Sequence, residues 1–182
     1  MLSLNWKRHL PNTIFICPNG HEICPVNPSG FQWFDLTKDD PNYILEQTIN
    51  AEKKLNQFIE EIKNEYSLDN KKICLSGFSQ GCMISLNIGL RQLNDLGGVV
   101  GISGRLLMPE SLEEGDKKSY PPVVLIHGDA DDVVPISSMY DAEKILNKIN
   151  VSFSTHVSKN TGHGIAPDGL SKALEFIKNI FS

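Results

Sequence analysis

Four short apolar runs constrain this chain more than any other feature: TIFIC (13–17), KICLS (72–76), GVVGIS (98–103) and VVLIH (123–127). Each is too short for a helix and lies beside Gly or Pro. They read as strands buried on both faces, as parallel sheets require. SFSTHV (152–157) alternates more and predicts a strand nearer a sheet edge. Residues 42–66 place Ile44, Leu45, Ile49, Leu55, Phe58, Ile59, Ile62 and Tyr66 at helical spacing, with Asp40 and Pro41 as cap and first turn. Further helices fit 80–94, 136–149 and 170–181. This alternation predicts an α/β fold with helices on both faces of a mostly parallel sheet. With 182 residues, a single domain, 1–182, is expected. PESLEEGDKKSYPP (109–122) reads as a solvated connection within it.

Composition narrows the function classes. Hydrophobic residues make up 40% of the chain and charged residues 21%, too apolar a balance for disorder. A net charge of −5 with scattered basic residues argues against a nucleic-acid partner, which would need a clustered basic surface. KRH (7–9) is followed only by the short run TIFIC, which does not make a secretory signal. No stretch approaches the roughly 20 apolar residues of a transmembrane helix. A cytoplasmic location is therefore expected, and the four cysteines are expected to be free. CPNGHEIC (17–24) offers Cys17, His21 and Cys24 but no fourth ligand at finger-like spacing, and its Pro and Gly suggest a loop, so no metal is expected there.

The chemistry centres on Gly77-Phe78-Ser79-Gln80-Gly81, a G-x-S-x-G pattern directly after KICLS and before a helix. Side chains at the two glycine positions are expected to collide with the neighbouring strand and helix, and the helix dipole favours negative charge beside Ser79. Capping of the helix by Ser79 would not by itself call for two flanking glycines. A nucleophilic serine needs a base, and the base an orienting acid, in the chain order Ser, Asp or Glu, His for this elbow. VVLIH is followed by Gly128-Asp129-Ala130-Asp131-Asp132, three candidate acids in one loop, any of which could instead cap a turn. Of the five histidines, only His156 and His163 follow that loop. His156 falls within a strand. His163 falls in the glycine-flanked loop NTGHGI (160–165), which can carry an imidazole over the carboxyl edge of the sheet.

With PSGFQWFDL (28–36), GFSQG (77–81), SGRL (103–106), HGDADDVVP (127–135) and GHGI (162–165), the chain resembles the carboxylesterase, lysophospholipase and acyl-protein thioesterase group of α/β-hydrolases. The resemblance extends from about Leu10 to the carboxyl terminus. It implies that Ser79 is the nucleophile, Asp131 the orienting acid and His163 the base, and that the Gln80 backbone N–H serves the oxyanion. It places Trp33 and Phe34 on the acyl side of the pocket, though both could equally be core aromatics. The implied substrate is an ester or thioester cleaved through an acyl-enzyme, without metal or organic cofactor. A metal site for phosphoryl chemistry at 129–132 is a rival from another class.

One element of the family pattern has no counterpart in the sequence. The resemblance implies an H-G-x-G-like loop that supplies a second oxyanion N–H, after a strand lying between those resembling TIFIC and KICLS. The only His-Gly pairs here are His127-Gly128 and His163-Gly164. Losing one oxyanion donor costs about 2.7–4 kcal/mol. Losing a central strand with four or five buried aliphatics forfeits roughly 10 kcal/mol, comparable to the net stability of a whole domain. The expectation is an α/β-hydrolase domain truncated at its N-terminus relative to the family. The alternative to an active esterase is a weakly active or non-catalytic remnant, with a complementing N-terminal fragment as partner and homo-oligomerisation open.

Overall fold

The computed structural model describes residues 2–35, 37–38, 40–92, 94–112 and 119–182. Strands β3 (Cys74–Phe78), β4 (Gly98–Ile102), β5 (Val123–Gly128) and β6 (Phe153–Ser158) form a parallel sheet in that order. Helix α3 (Gln80–Arg91) connects β3 to β4, α5 (Ser137–Lys148) connects β5 to β6, and α6 (Pro167–Ile180) follows β6. Ahead of the sheet lie α1 (Leu2–Lys7), an antiparallel hairpin of β1 (Glu22–Cys24) and β2 (Asn27–Gln32), and α2 (Pro41–Tyr66). The turn α4 (Pro109–Ser111) stands between β4 and β5. The arrangement is the α/β fold expected from the sequence.

The apolar runs of β4 and β5 are continuous because the sheet is covered on both faces. Val99, Val123 and Leu125 pack with Leu86 and Leu90 of α3 and Met139 and Leu146 of α5. The alternate residues Val100, Ile102, Val124 and Ile126 pack with Ala173 and Ile177 of α6 and Trp6 of α1. At about 25 cal/mol per Å² of apolar surface, these layers are the dominant favourable contribution to the fold. Helix α2 joins a third cluster, in which its Ala51 and Ile59 meet Ile84 and Ile88 of α3. It starts as expected: the Asp40 side chain accepts from Asn42 N–H and Pro41 occupies the first turn. Its end is a left-handed Ser67 whose N–H bonds to Lys63 O.

Several expectations need correction. TIFIC is not a strand: Thr13–Cys17 has no ladder partner among the described residues, and Ile14 and Ile16 are 54% and 39% exposed. An apolar run becomes a strand only where another backbone pairs with it, and a trough separates this one from β3. CPNGHEIC is not wholly loop, because Glu22–Cys24 enters the hairpin. Helix 80–94 stops at Arg91, and the helix expected at 170 begins three residues earlier at Pro167, where a proline suits the first turn. The connection 109–122 is anchored at both ends, by buried Leu112 and by buried Ser119, which donates to Gly89 O at 2.6 Å. Its residues 113–118 lie outside the described residues, as does Leu36 of PSGFQWFDL.

Candidate active site

Ser79 stands between the last residue of β3 and the first of α3 with φ 54° and ψ −119°, a conformation L-residues rarely adopt. It is over-determined by its surroundings. Its N–H donates to Ile102 O of β4 at 2.9 Å, and its carbonyl accepts from Met83 N–H at 3.1 Å. The two flanking glycines are not equivalent. A Cβ on Gly77 would lie 2.0 Å from the Gly81 carbonyl carbon, whereas one on Gly81 would meet nothing within 4 Å. The expected collision therefore holds at Gly77 and fails at Gly81.

The loop after β5 turns on Asp131. Its Oδ1 accepts from Val133 N–H at 3.0 Å and Val134 N–H at 2.9 Å, a local turn that takes the carboxylate inward. Asp131 is 8% exposed, while Asp129 and Asp132 face solvent. Burial pushes the Asp131 carboxyl up, but hydrogen bonds from His163 and from the Val134 and Val133 N–H groups outweigh it and hold it below the ordinary 3.8. With both oxygens engaged by these donors, Asp131 has little left to offer a cation.

His163 reaches this carboxylate from the loop between β6 and α6. Its Nδ1–H donates to Asp131 Oδ2 at 2.9 Å, and its Nε2 lies 3.0 Å from Ser79 Oγ. A carboxylate only accepts, so the bond at Nδ1 leaves the Nε2 lone pair of a neutral ring facing the hydroxyl. The Phe78 ring, 4.8 Å from the imidazole, packs beside it. The acid and base loops are tied by Ala130 N–H to Thr161 O at 3.0 Å. A Cβ on Gly128 would lie 2.2 Å from that same Thr161 oxygen, so the close approach requires glycine.

The remaining expected residues divide. Gln80 opens α3, where its backbone N–H belongs to the unpaired first turn of the helix. Trp33 is half-buried and lines the trough beside β3. Phe34 has no exposed surface and packs in the third core cluster, so it is a core aromatic and not a pocket wall. His156 is engaged elsewhere, 2.7 Å from Asp168 Oδ2.

Two supporting side chains escaped the sequence reading. His127, buried at the end of β5, bonds through Nε2 to Val134 O at 2.8 Å and lies 3.4 Å from Asp131 Oδ2, bracing the acid loop. The Gln80 side chain accepts from Trp33 N–H at 3.1 Å and donates to Phe34 O at 2.6 Å, pinning the segment after the hairpin to the elbow. The only sequence signal for the second was an amide side chain next to the serine. For the first, a histidine closing an apolar strand was visible but had no assigned partner.

Comparison with known proteins gives the family of the chain. Residues 1–181 match the phospholipase/carboxylesterase family model. Acyl-protein thioesterase 1 of Gibberella zeae is 26% identical over 96% of this chain and 80% of its own length. The Emericella nidulans protein of the same name is 28% identical over 98% and 82%. Among solved structures, esterase PE8 is 37% identical with a TM-score of 0.93, covering 98% of this chain and 84% of that one. Arabidopsis thaliana SOBER1, 21% identical with a TM-score of 0.79, shares the fold over 100% of this chain and 90% of its own. The chain is a hydrolase of α/β-hydrolase fold that belongs to the phospholipase/carboxylesterase family.

Proposed function

We propose that the protein is a serine hydrolase that cleaves carboxylic esters or thioesters through a Ser79–His163–Asp131 triad and an acyl-enzyme. One observation carries the reading: the imidazole of His163 bridges the Ser79 hydroxyl at 3.0 Å and the Asp131 carboxylate at 2.9 Å. Ser79 Oγ attacks the acyl carbon as Nε2 takes its proton, and the Asp131 carboxylate stabilises the resulting imidazolium. The oxyanion that develops faces the amino end of α3, where Gln80 N–H and the helix dipole oppose its charge. The proton passes from Nε2 to the leaving alcohol or thiol, and water then releases the acyl group by the same route. The names of the thioesterase relatives support an acyl substrate of this class. Free Cys17, Cys24, Cys74 and Cys82 suit a reducing, cytoplasmic setting.

The trough opening beside Gly77 and Gly81 favours a second reading for the isolated chain, that of a hydrolase slowed by an unfinished oxyanion site. Lacking one donor would lower the rate about 100- to 1,000-fold. A fluorophosphonate probe with mass mapping tests both readings together with p-nitrophenyl ester turnover. Labelling at Ser79, lost in Ser79→Ala and His163→Ala, is the expected result. Labelling with slow turnover points to the unfinished site, and labelling that survives His163→Ala rejects the triad.

A further inference from the structure

We propose that His127 is a positioning residue for the acid of the triad, acting through Val134 to hold the Asp131 carboxylate where it meets His163. Resting on the triad proposed above, the role is one of placement and not of contact with substrate. His127 continues the face of β5 on which Val123 and Leu125 pack against α3 and α5. It is 2% exposed and lies beside Cys82, Leu86, Met139 and Ala142. Aliphatic side chains fill the rest of this face, and an imidazole buried among them is unfavourable unless it bonds. Its bond runs from Nε2 to Val134 O, at 2.8 Å. A carbonyl only accepts, so Nε2 carries the proton. Asp131 Oδ2 lies 3.4 Å from the same nitrogen, beyond the ordinary N–H···O range. The Asp131 carboxyl, pushed up by burial, is held low by bonds from His163, Val134 and Val133, and His127 is not among those donors. His127 therefore reaches the acid by way of Val134.

Val134 is gripped at three points. Its side chain is buried in the third core cluster, with Phe34 and Met83. Its N–H donates to Asp131 Oδ1 at 2.9 Å, and its carbonyl accepts from His127. Removing the imidazole frees the carbonyl end of the residue whose N–H orients the carboxylate. The other N–H on Oδ1 comes from Val133, which is 61% exposed and has no comparable packing to hold it. The ring of His127 is carried by a strand paired on both edges, so the clasp refers the acid loop to the sheet. Two imidazoles thus stand beside one carboxylate in opposite tautomers. His163 carries its proton on Nδ1, toward Asp131, and His127 on Nε2, toward Val134. A shift of about 1 Å in the acid, passed on to His163, can lower the rate on the order of 100-fold without touching the substrate.

Nitrogen NMR of the imidazole rings in the full chain tests the tautomers without any substitution. The Nε2–H form is expected for His127 and the Nδ1–H form for His163, and an Nδ1–H form at His127 overturns the proposal. Turnover of a p-nitrophenyl ester by two amide variants then separates placement from folding. The amide nitrogen of His127→Gln stands where Nε2 does, whereas that of His127→Asn falls one bond short of Val134 O. At a temperature where circular dichroism shows both variants folded, His127→Asn is expected to lower kcat by about 100-fold with KM nearly unchanged. His127→Gln is expected to regain most of that loss. In an Asp131→Asn background, His127→Asn is expected to cost nothing further, because its route to His163 is already cut. A folded His127→Asn enzyme at full rate overturns the proposal, as does an equal loss in both amide variants or an additive loss in the Asp131→Asn background. A full rate in Asp131→Asn alone rejects the triad itself, and this role with it.

Discussion

At residue 77 the elbow tolerates no side chain, and at residue 81 it is indifferent. Gly77→Ala drives a Cβ into the backbone at Gly81, 2.0 Å away, which neither helix nor strand can yield without moving Ser79. Its expected cost is about 1–3 kcal/mol of stability, together with loss of fluorophosphonate labelling. Gly81→Ala meets open space and changes stability by less than about 1 kcal/mol, on the favourable side for a helical position. Thermal unfolding of the two variants side by side checks the contrast. In the proposed triad Asp131 acts through His163, its carboxylate selecting the tautomer that leaves Nε2 free to accept. Asp131→Asn is expected to lower the ester hydrolysis rate by about 10⁴-fold, and to leave substrate KM nearly unchanged. A fall in KM-dependent binding with intact kcat would contradict that role.

At the scale of elements, the site is positioned by how closely helices approach the sheet. Helix α6 packs tightly on the sheet at Gly169, where a Cβ would lie 2.8 Å from Ile126 Cγ2 and 3.1 Å from Ser158 Oγ. The same helix is held by Asp168, which accepts from Ser158 Oγ and meets His156 Nε2. Because the loop carrying His163 ends where α6 begins, lifting α6 displaces the imidazole. Gly169→Val is therefore expected to cost about 1–3 kcal/mol and to reduce labelling of Ser79 even below its melting temperature. Full labelling at that stability cost would show that the His163 loop is set independently of α6. Strand β3 is the complementary case, since its inner edge fixes Ser79 and its outer edge pairs with no strand among the described residues.

For the whole molecule, the buried carboxylate sets how the fold meets acid. Burial alone would raise the Asp131 pKa, but its hydrogen bonds from His163, Val134 and Val133 hold it below 3.8. A group whose pKa is lower folded than unfolded contributes stability above the unfolded value, and that contribution disappears as pH falls through the folded one. Asp168, lowered chiefly by His156, acts in the same direction but with an exposed carboxylate that solvent screens. Stability is thus expected to drop as pH falls below about 4, and Asp131→Asn to flatten that drop, as denaturant midpoints measured across the acid range would show. An unchanged acid slope in the variant would mean that Asp131 is not linked to folding.

Much of this was legible in the chain alone, for reasons that are local. Strands β4 and β5 were readable because a parallel strand covered on both faces must be apolar at consecutive positions. Helix α2 was readable because one-sided burial imposes a 3.6-residue period and Asp40-Pro41 marks its start. The elbow was readable because a strained serine between strand and helix needs glycine at 77. What the sequence could not settle depended on partners distant in the chain. TIFIC has the composition of a strand, yet strand formation is a pairing event, and among the described residues the trough beside β3 leaves it unpaired. Phe34 and Trp33 are adjacent aromatics, and only packing sends one into the core and the other to the trough wall. Among Asp129, Asp131 and Asp132, local chemistry was nearly equal. Only the resemblance singled out Asp131, and in the tertiary structure its carboxylate alone turns inward, onto the two Val N–H groups and the ring of His163.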